Sequence, residues 1–81
     1  MLIFATDRFN PNYTICFKVN NSTTIRKVVK TYCDRNYLSV NNVVNCYKND
    51  TNTILQFDKK ISDYEFMDND TVIIEISLEN F

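Results

Sequence analysis

The 81-residue chain has no glycine, no histidine and no tryptophan, and only one proline and one alanine. Without glycine there is no phosphate-cradling loop and no dinucleotide fingerprint, because both rely on backbone that a Cβ would obstruct. Without histidine, Ser–His–Asp and Cys–His catalysis are excluded, along with most zinc sites. Cys16, Cys33 and Cys46 lie 17 and 13 residues apart with no C-x-x-C pair, which fits neither a disulfide framework nor a metal cluster. The opening Met1-Leu2-Ile3-Phe4 is too short for a signal peptide, and no apolar run approaches membrane-spanning length. These absences point to a domain with reduced thiols in the cytoplasm or nucleus, with no cofactor, no metal and no enzymatic activity.

What the chain does contain is 44% hydrophobic residues and 14% aromatic ones, enough to build one compact core, so residues 1–81 are read as a single domain. Twelve asparagines beside many Lys, Ile, Tyr and Phe carry the skew of an AT-rich coding sequence. Residues 2–6 are apolar and precede a turn at Asp7 to Asn12. Tyr13 to Val19 alternates, with Tyr13, Ile15, Phe17 and Val19 on one face and Thr14, Cys16 and Lys18 on the other. The two runs predict a β-hairpin. Asn20 to Thr23 supplies helix caps, and from Thr24 to about Asn36 the period changes. Ile25, Val28, Val29, Tyr32 and Cys33 form one apolar stripe, with Asn36 as the left-handed stop. Short strands follow at Val43 to Tyr47 and Ile54 to Phe57, with Ile61, Tyr64 and Phe66 turned inward between them and the end. Thr71 to Leu78 is a nearly continuous apolar strand, with Val72, Ile74, Ile76 and Leu78 on one face.

The order is ββαβββ, an α+β chain whose single helix has one stripe to bury across a mixed sheet. The right-handed crossover rule sets the last strand parallel to the first, in the middle of the sheet. That arrangement is the β-grasp.

The residues carry a family resemblance as well. Met1-x-Ile3-Phe4 and Ile61-Ser62-Asp63-Tyr64 are similar to the matching segments of ubiquitin. Phe17-Lys18-Val19, Thr23-x-Ile25, Lys27, Lys30, Tyr32-Cys33-Asp34-Arg35 and Leu38-Ser39 resemble the core strand and helix of SUMO. Met67-Asp68-Asn69-Asp70-Thr71-Val72 is similar to the acidic turn into its last strand. The resemblance covers essentially the whole chain and implies a ubiquitin-like fold, nearest to the SUMO branch. Conjugated members end in Gly-Gly, where this sequence has Asn80-Phe81, and the two tail arginines of ubiquitin align with Ser77 and Glu79. Phe81 is thus a conjugation end only under non-standard chemistry, such as release from a larger precursor by an intein-like neighbour.

The charge is asymmetric. Residues 1–60 sum to +5 and residues 61–81 to −6, within a net −1. The basic cluster Lys18, Arg26, Lys27, Lys30 and Arg35 comes from the second strand and the helix. In SUMO these elements border a groove that binds apolar peptides with acidic flanks by adding a strand to the sheet edge. The resemblance assigns that groove to Cys16, Phe17, Lys18, Val19, Thr23, Lys27, Val28, Tyr32 and Arg35, against the plainer reading of a solvated basic face. The apolar sheet patch of ubiquitin falls near Cys46, Ile73 and Glu75, with only Ile73 strongly apolar. Low pI and few interleaved aromatics argue against nucleic acid, and Asp63, Glu65, Asp68 and Asp70 lack the spacing of a calcium loop. The expectation is a monomeric ubiquitin/SUMO-like protein modifier or modifier-like module acting by protein binding. The alternative is a non-conjugated interaction domain of a larger protein.

Overall fold

The computed structural model describes residues 1–77. Leu78, Glu79, Asn80 and Phe81, and with them the expected conjugation end, lie outside the described residues. Four strands, β1 (Leu2–Asp7), β2 (Ile15–Lys18), β3 (Val43–Lys48) and β4 (Thr71–Ile76), form one sheet in the order β2-β1-β4-β3. β1 and β4 are parallel neighbours at the centre, and the outer pairings are antiparallel. One helix, α1 (Ile25–Arg35), lies across one face, with short 3₁₀ turns at Val40–Asn42 and Ile61–Tyr64.

The stripe read from the periodicity is the buried side of the helix. Ile25, Val28, Val29, Tyr32 and Cys33 are all inaccessible to solvent and share one cluster with Ile3, Ala5, Val72 and Ile74 of the central strands. Each of the Ile and Val side chains among them contributes about 1.5–3 kcal/mol by leaving water, which a chain this short cannot forgo. Ile15 and Phe17 join the same cluster from β2, so the alternation of that strand holds, although it begins at Ile15 and leaves Tyr13 in the turn.

Both helix ends differ from expectation. The N-cap is Thr24, whose Oγ1 accepts from the Lys27 N–H at 3.1 Å. Asn20 to Thr23 instead closes a turn of its own, with the Ser22 N–H donating to Asn20 Oδ1 and the Asn20 N–H to Thr23 Oγ1. At the other end Asn36 keeps φ −107° and Tyr37 takes the left-handed conformation at φ 57°. The Leu38 N–H then reaches back to the Cys33 carbonyl at 2.8 Å, the six-to-one bond of a Schellman cap. With no glycine available, the four left-handed positions among the described residues belong to side chains with a Cβ: Tyr37, Asn49, Glu65 and Asn69.

The expected strand at Ile54 to Phe57 is reduced to a single bridge between Ile54 and Tyr47. The Leu55 N–H donates to the Cys46 carbonyl at 2.8 Å and Leu55 enters the core, after which the chain turns away. The reason lies at the start of α1, whose first donors have no partner within the helix. The Phe57 and Lys59 carbonyls accept from Arg26 and Ile25, and that demand bends the segment out of the sheet.

Candidate functional site: the open edge of β2 and its cationic cleft

β2 is an edge strand, and its backbone pattern decides which groups are free. Met1 and Val19 exchange both hydrogen bonds, Val19 N–H to the Met1 carbonyl at 2.9 Å and the Met1 ammonium to the Val19 carbonyl at 3.0 Å. Alternation then turns the backbone of Phe17 and Ile15 toward β1, opposite Ile3 and Ala5. The N–H and C=O of Cys16 and Lys18 face the open side. They form a ready template for one more strand.

Beside this edge, a cleft of about 260 Å³ runs between β2 and α1. Phe17, Lys18, Val19, Thr23, Lys27, Val28 and Arg35 line it, as does Thr31. Seven of the nine residues assigned from the sequence therefore meet in one depression. Val19 and Val28 are buried and make its floor, while Lys18, Lys27 and Arg35 stand exposed along its rim. Thr31 was missed, although it follows Lys27 and precedes Arg35 at helical spacing on the same face.

The two remaining residues sit elsewhere. Cys16 lies opposite Phe4 with its exposed side chain on the face of the sheet away from the helix, so it adjoins the cleft only through its backbone. Tyr32 is fully buried, and its hydroxyl donates to the Tyr13 carbonyl at 2.6 Å. Burial, followed by the nearby Asp7 charge, pushes that hydroxyl up to about 12.

The basic cluster divides in the same way. Lys30 pairs with Asp34 at 3.0 Å, one turn along the helix, and Arg26 lies over the Phe57 ring at 5.4 Å. Among the described residues no ion pair engages Lys18, Lys27 or Arg35, the three cations that border the cleft. Unpaired like charges gathered beside an open strand edge favour an acidic partner.

A cleft between the second strand and the helix, on a sheet of this order, is the arrangement implied by the resemblance to SUMO. The family model described as "Ubiquitin-2 like Rad60 SUMO-like" matches residues 6–78. The chain belongs to this family. Among curated proteins none matches it. As a Rad60 SUMO-like domain it is a ubiquitin-like module of the protein-interaction or modifier-like kind.

Other positions singled out in the sequence take quieter roles in this Rad60 SUMO-like fold. Cys46 is not part of a surface patch: it is fully buried opposite Ile74, and Tyr47 takes the outer face beside Ile73. The Tyr47 hydroxyl donates to Glu75 Oε1 at 2.8 Å, and Arg8 reaches the same oxygen at 2.7 Å. Two donors on one carboxylate hold Glu75 below its ordinary value, the Tyr47 bond contributing most. The Cys33 and Cys46 thiols are pushed up by burial, Cys46 to about 12, so neither is an activated nucleophile. The acidic segment is engaged within the fold: Asp63 accepts from the Lys60 N–H and Asp70 from that of Met67 in local turns, and Asp68 accepts from the Leu2 N–H at the start of β1. No cluster of metal-ligating side chains occurs among the described residues, and none of their helices is long and apolar enough to cross a membrane.

Proposed function

We propose that this Rad60 SUMO-like domain is an intracellular, modifier-like module that works by binding an extended apolar peptide with acidic flanks. The peptide pairs with the open edge of β2 through the backbone of Cys16 and Lys18. Its alternate side chains enter the cleft over Val19 and Val28, and its acids meet Lys18, Lys27 and Arg35. The observation that supports this most is a coincidence of three features in one place: an open strand edge, an apolar floor and three cations with no ion-pair partner among the described residues. Main-chain pairing supplies affinity, and the charges supply orientation and a faster encounter.

The test is an amide-shift titration of the labelled domain with a Val/Ile-rich peptide carrying acidic residues at one end. Shifts confined to residues 16–20 and 27–35 are expected, together with weakening as salt is added. No shifts at millimolar peptide would overturn the reading and leave the three cations as a solvated rim.

A further inference from the structure

A second and larger cavity opens beyond the C-terminal end of the helix. It measures about 570 Å³, within the range of preformed ligand sites. Phe9 and Tyr13 come from the β1–β2 turn, Leu38 from the chain after α1, Ile76 from the end of β4, and Asp7 and Asn10 add polar groups. The two rings stand in water to an unusual degree, Phe9 71% exposed and Tyr13 53%. Their setting is nonetheless built. The Phe9 N–H donates to Asp7 Oδ1 at 2.8 Å, the Tyr13 N–H to the Asn10 carbonyl, and the Tyr13 carbonyl accepts from the buried Tyr32 hydroxyl.

The charge at this cavity has the opposite sign from that at the β2 cleft. Asp7 is partly buried, and no ion pair among the described residues reaches it. The nearest cation in sequence, Arg8, covers one face of the Phe9 ring at 5.1 Å, but its charge is bound to Glu75, and Arg35 lines the other cleft. An unpaired carboxylate at the base of an aromatic, apolar cavity is complementary to a cation with an apolar stem. A guanidinium suits it better than an ammonium, because it stacks on rings and forks onto a carboxylate.

We propose that this cavity is a second docking site, which receives an arginine side chain flanked by apolar residues from a protein partner. Asp7 takes the guanidinium, while Phe9 and Tyr13 cover its stem and face. The proposal does not depend on the β2 cleft, which selects acidic peptides.

The experiment compares the end-capped peptide Ala-Leu-Arg-Leu-Ala with its citrulline counterpart, each titrated into the labelled 81-residue chain. The arginine peptide is expected to shift amides at 7–13, 36–38 and 76, and citrulline to bind about fivefold more weakly. Asp7→Asn, which retains an acceptor for the Phe9 N–H, should abolish the difference, and Phe9→Ala should weaken both peptides. Equal binding of the two peptides, no shifts at about 10 mM, or full discrimination by Asp7→Asn would each overturn the proposal. Shifts at 16–19 and 27–31 instead would place the peptide on β2 and overturn it as well. Shifts that appear only on a chain ended at Ser77 would make the chain's own terminus the occupant. Shifts of the same amides on dilution would make it a second copy.

Discussion

β2 and β3 are the two edges of one sheet, and they are finished in opposite ways. The outward backbone of β3 is already engaged: the Cys46 carbonyl accepts from Leu55, and the Lys48 N–H donates to the Thr53 carbonyl. Along β2 the corresponding groups of Cys16 and Lys18 meet no other strand among the described residues, and the cations beside them have no ion-pair partner there. Charges follow the same division, since Lys48 stacks on Phe66 and Arg8 is bound to Glu75. An exposed edge invites aggregation, and folds commonly cover or disrupt it. One edge covered and the other left open beside an apolar cleft is the contrast on which the proposed peptide pairing rests.

Three substitutions test that contrast, in descending size of effect. Leu55→Ala removes the side chain that anchors the cover of β3, and Leu55 is only 3% exposed. It should lower unfolding free energy by about 3 kcal/mol in urea denaturation. Cys16→Pro deletes an N–H that the fold does not use, at an edge position where proline is tolerated. The domain should keep its dispersed spectrum while acidic-peptide affinity falls at least ~10-fold, about 1.4 kcal/mol. Unchanged affinity would mean that the peptide does not pair with this edge. Lys27→Ala removes one of three rim charges and should weaken the same peptide about threefold, with a shallower salt dependence.

A fourth substitution probes the glycine-free turns. Tyr37 is 97% exposed and left-handed, so Tyr37→Gly loses no packing and relieves a Cβ clash. It should raise the thermal midpoint, with a gain of about 1 kcal/mol less the added freedom of the unfolded chain.

The sequence disclosed most where local pattern and burial agree. The stripe from Ile25 to Cys33 and the alternation of Ile15, Phe17 and Val19 locate the helix and the edge strand from pattern alone, whereas the cleft between them follows only from the resemblance to SUMO. It misled where tertiary demands intervene. The resemblance sets Cys46 near a surface patch, yet beyond the bulge between Val43 and Asn45 its side chain turns into the core opposite Ile74 and Tyr47 takes the outer face. Ile54 to Phe57 has the composition of a strand, yet the unpaired donors of α1 draw the Phe57 carbonyl, and that of Lys59 beyond it, away. Asn36 is the better left-handed residue by type, and Tyr37 takes that conformation because the Leu38 bond to Cys33 sets the position. Tyr32 shows the limit of transfer by resemblance: a position can match a groove residue while its side chain lies in the core.

The smallest expected effect separates the two halves of the sheet by pH. On the β3 side, Glu75 accepts from both Tyr47 and Arg8, and these bonds favour its charged form in the folded state. Its folded value lies below its unfolded one, so its contribution is complete above the unfolded carboxylate range. It is lost as pH falls through about 4.3 and below. Thermal midpoints of the wild-type chain should therefore be level near neutrality and decline in acid, and Glu75→Gln should lower the plateau while flattening that decline. The contact is partly solvated, with the Arg8 side chain 37% exposed and that of Glu75 22%, so screening keeps the change modest. On the β2 side the unpaired cations leave stability without such a carboxylate. Acidic-peptide binding there should instead weaken as the peptide's own carboxylates protonate, in Glu75→Gln as much as in wild type. A Glu75→Gln chain with altered peptide affinity would show that the two edges are coupled, and the division drawn between them would fail.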